Sequence, residues 1–303
     1  VASSGYKGYE IRHAAITDKE REDASDQVWM QIWRRFARHK AAVAGLAVTV
    51  LLLAVAVFAP ALAPKNPNAV TFYFSAAPSA EHWLGTDQVG RDVLSRLIYA
   101  TRISLIVGFA TVAIYVAFGT AVGLLSAYFG GWVDQAVMRI TDIFMSFPSL
   151  MVILVVMSVL GASTTTIILV LALFSWPDVA RLVRGSVLSI KQLDYVKAGI
   201  ALGLSTPRIL FRHIFPNAIG PIIVNATFGV AAAIRSEAGL SFLGMGVRPP
   251  TASWGNMLSD AQSLTVLTNQ PWLWIPAGTM ILITVLAINF VGDGLRDALD
   301  ARQ

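Results

Sequence analysis

Residues 103–127 read ISLIVGFATVAIYVAFGTAVGLLSA, 25 positions without a single Asp, Glu, Lys or Arg. A helix rises about 1.5 Å per residue, so the run can cross the roughly 30 Å hydrocarbon core of a bilayer. In lipid only helices and closed barrels satisfy their backbone polar groups. The run lacks the two-residue alternation of a barrel strand. It reads as a membrane-crossing helix and sets the fold class, an all-α multi-pass membrane protein. Inside it, Gly119-Thr-Ala-Val-Gly123 places two glycines four apart, a spacing that lets a second helix backbone come close.

Similar runs lie on both sides. Ala41–Pro64 is charge-free, with its apolar part at Ala41–Ala59. Ile143–Pro177 is too long for one span and fits two, bent at Gly161–Thr166. The second of these continues past Pro177, with Asp178 and Arg181 near the interface. A fifth span lies near Ile219–Ile234 and a sixth at Trp272–Gly292. Six transmembrane helices follow. The expected organisation is a cytoplasmic tail over 1–40 with an amphipathic helix at 26–40, a first helix at 41–64, and an extracytoplasmic loop at 65–101. A core of five helices follows at 102–292, carrying a cytoplasmic helix at 194–206, and a tail at 293–303 closes the chain.

Composition agrees. The 303 residues are 55% apolar and 14% charged, and mean hydropathy is +0.64. An average soluble domain carries about 25% charged residues. Disorder and collagen are excluded by the apolar content, and zero cysteines exclude a disulfide scaffold, a thiol nucleophile and cysteine-ligated metal. The net charge of +5 is explained by where the cations fall. With the N-terminus inside, 17 of the 23 Lys and Arg residues lie on cytoplasmic segments and five on outer ones, with Arg235 near the outer end of a helix. The positive-inside rule places both termini in the cytoplasm, and no nucleic-acid partner is needed to account for the charge. The 40-residue charged lead and a full-length span argue against a cleaved signal peptide.

Outside the lipid, Trp29, Ile32, Trp33 and Phe36 recur at helical spacing among Arg34, Arg35, Arg38 and Lys40, a pattern suited to a helix on an anionic inner surface. Residues 1–25 read as a mobile polar lead. In the first outer loop Asp92 and Arg96 form an i,i+4 pair if Arg91–Thr101 is helical. The last outer loop, 238–271, has no obvious secondary structure, and Arg248-Pro-Pro breaks any helix there. A loop of that length usually has a partner or a task. The cytoplasmic segment Asp194–Asn217 holds a small amphipathic helix through Tyr195, Ala198, Ile200, Ala201 and Leu204. Ser205 and Thr206 before Pro207 signal a new helix start. Apolar area on such a helix would be wasted in cytosol without a partner to cover it.

Most chemistry is absent. His13, His39, His82 and His213 are scattered, so no zinc pair is visible. No Gly-rich phosphate loop is present, and Gly239-Leu-Ser241-Phe-Leu243 fails the nucleophile-elbow pattern, which makes Ser241 a helix-end residue. Charges at membrane depth are costly and therefore candidates. Asp142 is interfacial. Arg235 and Glu237 are two apart and do not share a helix face, so each needs its own partner or a wet cavity along a pathway or between subunits. Asn225 and Asn289 lie near mid-span, as interhelical hydrogen-bonding groups or on the same pathway. An ion-driven transporter would want acidic residues deep in several helices and related halves, and neither is seen.

The cytoplasmic segment resembles the coupling loop of ABC-importer permeases: Glu-Ala-Ala, three residues, Gly, nine residues, then Ile-x-Leu-Pro. Lys197-Ala198-Gly199, Gly203 and His213-Ile-Phe-Pro216 stand at those positions. Lys197 replaces the family's Glu, Gly199 its second Ala, and Phe215 its Leu. Four further stretches resemble the C-type permease of dipeptide, oligopeptide and nickel importers. They are His82-Trp-Leu-Gly-Thr-Asp87 with Gly90-Arg-Asp-Val-Leu-Ser-Arg96, Arg212-His-Ile-Phe-Pro-Asn217, Leu240-Ser-Phe-Leu-Gly-Met-Gly-Val247 with its Pro-Pro and Ser253-Trp-Gly255, and Gly292-Asp-Gly-Leu-Arg-Asp-Ala-Leu-Asp300. Trp33-Arg-Arg-Phe36 fits the same family, and the resemblance covers about 29–301.

The resemblance implies the six-helix type I ABC-importer permease fold in a bacterial plasma membrane. It implies four kinds of companion: a B-type permease subunit, one or two ATPase subunits, an extracytoplasmic solute-binding protein and the lipid around them. ATP and Mg would be held by the ATPase, with no cofactor in this chain. Asp194, Tyr195, Lys197, Ala198, Gly199, Ala201, Gly203, Ser205 and Pro216 are the expected ATPase-coupling residues. Lys197 alters the charge contacts at the ATPase groove. The expected function is non-catalytic: a permease subunit for di- and oligopeptides, with nickel chelates, glutathione or haem as alternative cargo. The rivals of another class are a membrane-embedded enzyme, for which no catalytic cluster is visible, and a passive pore, which leaves the cytoplasmic helix without purpose.

Overall fold

The computed structural model describes residues 30–300, and among them the regular structure is helical apart from one isolated bridge between Thr86 and Asp92. The polar lead 1–25, the first four positions of the helix expected at 26–40, and the last three residues lie outside the described residues. Helix α1 covers 30–38, and His39 breaks it from α2 (Lys40–Val57), where the His39 ring accepts the Ala42 amide at 3.1 Å. A short α3 (Ala59–Leu62) carries Pro60 in its first turn. Then follow α4 (Val93–Phe129), α5 (Gly131–Ser146), α6 (Ser149–Leu160), α7 (Thr164–Lys191), α8 (Asp194–Ala201) and α9 (Thr206–Ile209). A π-turn at Leu210–Ile214 leads into α10 (Phe215–Phe242), and α11 (Trp254–Leu258), α12 (Leu264–Asn269) and α13 (Pro271–Leu299) complete the chain.

Five helical stretches are long and apolar enough to cross a bilayer: α2, α4, α7, the continuous run Thr206–Phe242, and α13. The pair α5–α6 passes the same test when its two helices are taken together, which brings the number of candidate crossings to six, and it is bent by 82°. Pro148 makes the bend. The residue before a proline is pushed out of the helical region, and Phe147 is extended at φ −100°, ψ 143°.

Several helix ends differ from the hydropathy reading. The loop expected to run to 101 ends at Asp92, because α4 begins there. Asp92 caps the helix by accepting the Ser95 amide at 2.8 Å. Arg96 and Arg102 masked this turn from a search for charge-free runs. Asp92 does not pair with Arg96. Its other oxygen lies 2.9 Å from the buried His82 ring, and Arg96 turns instead to Asp87 at 3.4 Å and to the Pro250 carbonyl at 3.2 Å. Likewise α13 runs on to Leu299, so the segment read as a tail from 293 starts as helix. The outer loop 238–271 is not without secondary structure. It holds the end of α10, then α11 with a reciprocal cap between Ser253 and Asn256, a 3-10 turn (Ser259–Gln262) and α12.

The centre of the bundle is the α4–α7 pair. A side chain at Gly119 would meet the Trp176 carbonyl at 2.7 Å, and one at Gly123 would meet the Ala180 carbonyl at 2.5 Å. The two glycines therefore bring backbone against backbone, with Val179, Ala180 and Val183 fully buried between. On the other side α2 lies on α13, with Gly45 against the Ala287 carbonyl and Gly294 against Ala42. Phe36 of α1 is buried against Ala42 and Ala298, which ties α1 to the inner ends of both helices.

Candidate functional site

The inner side presents a platform made of α8, the turn after it and α9. Asp194 opens α8, and the helix stops at Ala201 because Gly203 takes φ +75°, a left-handed conformation that only glycine adopts without strain. The helix expected over 194–206 is thus eight residues followed by a turn. Ser205 then leads into α9, whose first positions are Thr206 and Pro207.

One face of this platform is seated in the protein. Val196 is buried and joins Val187, Ile209, Leu210 and Ile214 in the main core. Gly199 is also buried, and a side chain there would press on Leu204 at 3.1 Å. The other face is bare. Asp194, Tyr195, Lys197, Ala198, Ala201, Gly203 and Ser205 are exposed. Leu202 is 82% exposed and Phe211 69%. At Gly203 an added side chain would meet nothing within 4 Å. Pro216 is exposed at the second position of α10. A proline within a helix lacks the amide and crowds the carbonyl four residues back. The chain widens into a π-turn just before it, with the Phe215 amide donating to the Leu210 carbonyl.

The platform is tied stiffly to the bundle. Lys191 Nζ donates to the Tyr128 carbonyl at 2.7 Å, and the Tyr128 hydroxyl meets Thr206 Oγ1 at 3.2 Å. The inner end of α4 is thereby joined to the last residue of α7, just before the platform, and to the first residue of α9. Nearby, Arg184 makes a two-pronged pair with Asp134 at 2.6 and 2.5 Å, and Ser126 adds a bond of 2.6 Å to the same carboxylate. Arg181 pairs with Asp142. These struts escaped the sequence reading, because nothing local to Asp134 points to a residue 50 positions on.

The membrane-depth candidates separate. Glu237 is fully buried and receives hydrogen bonds from Ser241 and Ser253, each at 2.8 Å and both to one carboxylate oxygen. It fastens the outer loop to α10. Arg235, two residues earlier, is exposed on the opposite side and lines a cavity of about 330 Å³ with Ser149 and Ser236. Asn225 and Asn289 are half-buried on α10 and α13.

The outer face carries a second charged group. Asp87 pairs with Arg91 at 2.7 Å and with Arg96 at 3.4 Å. Asp260 lies beside them in a polar cavity of about 220 Å³. Burial, reinforced by the Asp87 charge, pushes the Asp260 carboxyl up to about 6, against the pull of Arg96 and Arg91.

Comparison with known proteins adds to this geometry. Residues 119–303 match the family model described as binding-protein-dependent transport system inner membrane component. Residues 27–78 match the N-terminal TM domain of oligopeptide transport permease C. The dipeptide transport system permease protein of Alkalihalophilus pseudofirmus is 39% identical over 91% of this chain and 90% of its own length. The glutathione transport system permease protein of Pectobacterium atrosepticum is 41% identical over 90% and 91%. Among solved structures, an inward-facing MetNI methionine ABC transporter covers 67% of this chain and 96% of its own, with a TM-score of 0.56 at 19% identity. That likeness concerns the fold.

Proposed function

The chain belongs to the inner membrane components of binding-protein-dependent transport systems, and from that premise we propose that it is the C-type permease subunit of an ATP-driven importer of di- and oligopeptides. Its companions are a B-type permease, one or two kinds of ATPase subunit holding ATP and Mg, and an extracytoplasmic binding protein that delivers cargo. The observation that carries the reading is the inner platform. Exposed Tyr195, Ala198, Ala201 and Leu202 surround an open Gly203, while buried Val196 and the Lys191–Tyr128–Thr206 strut fix the same segment to the bundle. A surface both sticky and rigidly mounted suits the transmission of force from another subunit. Driving a two-state equilibrium nearly to completion needs about 5.5 kcal/mol of differential binding, which nucleotide binding at the ATPase supplies.

Peptide cargo follows from the match to an oligopeptide permease segment and the dipeptide relative. Glutathione, itself a small peptide, is the second reading, favoured by the glutathione relative. The test is to purify the assembly through a tag on this chain and reconstitute it in vesicles. The expected result is an ATPase that copurifies and uptake of peptides that needs ATP. Assembly without a nucleotide-hydrolysing companion would sink the reading. Uptake of glutathione in preference to a panel of other peptides would move it to the second cargo.

A further inference from the structure

Arg235 stands seven residues before the outer end of α10, which is about 10 Å of helix. Among the described residues no carboxylate lies within ion-pair distance of its guanidinium. The neighbouring acid does not serve, because Glu237 faces away and is engaged by Ser241 and Ser253. The cavity Arg235 lines is mixed in character, with hydroxyls from Ser149 and Ser236 and apolar walls from Ile153 and Leu171. At Gly239, on the same wall, an added side chain would meet nothing within 4 Å, so the cavity opens past it. A cation held at this depth and left exposed needs water or an anion before it. Low-dielectric walls around it strengthen its field and raise the local concentration of anionic groups.

We propose that Arg235, with the hydroxyls of Ser149 and Ser236, forms a charge-selecting station on the cargo's route that accepts carboxylate groups and slows cationic ones. The inference rests on the chain being a permease subunit, and it names the chemistry of the cargo group rather than the cargo.

The chain has no cysteine, so Ser236→Cys introduces its sole thiol. In the complete complex in membranes, that thiol is challenged with methanethiosulfonate reagents of similar size, one an anionic sulfonate and one a cationic trimethylammonium. The thiol is expected to react from water and to favour the anionic reagent. Adding Arg235→Gln should lower the anionic-to-cationic rate ratio about tenfold, and Arg235→Lys should restore most of it. A thiol inert to both reagents places the site in lipid or under a partner and overturns the proposal, as does a ratio indifferent to Arg235. A second readout compares uptake of acidic and basic peptides of equal length. Each rate is divided by the rate of the unmodified complex for the same peptide, which cancels the preference of the binding protein. Arg235→Gln should slow acidic peptides about tenfold and basic ones less than twofold. A uniform loss overturns the proposal. If the unmodified complex takes up no peptide, the cargo reading falls and the thiol ratio still decides the role of Arg235.

Discussion

The two ends of the bundle are built on opposite terms. On the outer side the residues after α10 are tied to the bundle and to one another by a network of side-chain hydrogen bonds. Glu237 holds Ser241 and Ser253, Ser104 accepts the Trp254 amide at 3.0 Å, and Asn256 donates to the carbonyls of Val247 and Thr251 at 3.0 and 2.8 Å. On the inner side the platform keeps Leu202, Phe211, Tyr195 and Ile200 in the open. The outer network fixes the loop after α10 against α10 and α4. An inner surface with bare apolar area is completed by another molecule. The difference separates residues that hold the fold from residues that meet a partner.

The sharpest break in that comparison is at Gly203. A tryptophan there faces open space but is strained at φ +75° and stands out from the docking face. Gly203→Trp is expected to cut ATP-dependent uptake by more than tenfold while the protein still inserts and melts only a few degrees lower, by the roughly 1–2 kcal/mol that the left-handed backbone costs a residue with a side chain. Normal uptake would refute the docking role. On the outer side the order should reverse, with folding affected before partner binding. Glu237→Ala leaves two buried hydroxyls without an acceptor, a loss of about 2–4 kcal/mol. It should show as a lower unfolding temperature in detergent, with ATPase copurification intact.

The smallest effect is expected at Asp260. Its carboxyl is raised from 3.8 to about 6, so the folded state prefers the protonated form. The stability this group contributes is complete below about pH 4 and is lost as pH rises through about 6. Asp260→Asn should therefore match the unmodified protein near pH 4 and melt slightly higher at pH 8. A variant that melts lower at pH 8 would mean that the Arg91 and Arg96 charges outweigh burial at that position.

Hydropathy alone brought out the helical class and most of the crossings, because long charge-free runs have few other readings. It missed ends where a charge is accommodated locally. Arg96 hid the first turn of α4, and Asp293 and Arg296 hid the last turns of α13. The bend at Pro148 was also missed, since 131–146 is amphipathic and carries too many polar residues to be read as part of a span. In the platform, the Ser205–Pro207 start was legible as local backbone chemistry, whereas the turn at Gly203 was not, and the helix expected to run to 206 ends at Ala201. The struts were not, because Lys191–Tyr128 and Arg184–Asp134 join residues more than 45 positions apart. Arg235 and Glu237 were found as costly charges, but only the fold separates one as a fastener from the other as a residue facing a cavity.

The glycine contacts between α4 and α7 have a consequence for how far a push travels. Two backbones in direct contact have no soft side-chain layer to absorb a displacement, so the pair swings as one lever. Its shorter arm, the 28 residues of α7, is about 42 Å long, so a tilt of about 10° at the inner fulcrum would sweep the far tip through about 7 Å, more than the width of one peptide backbone.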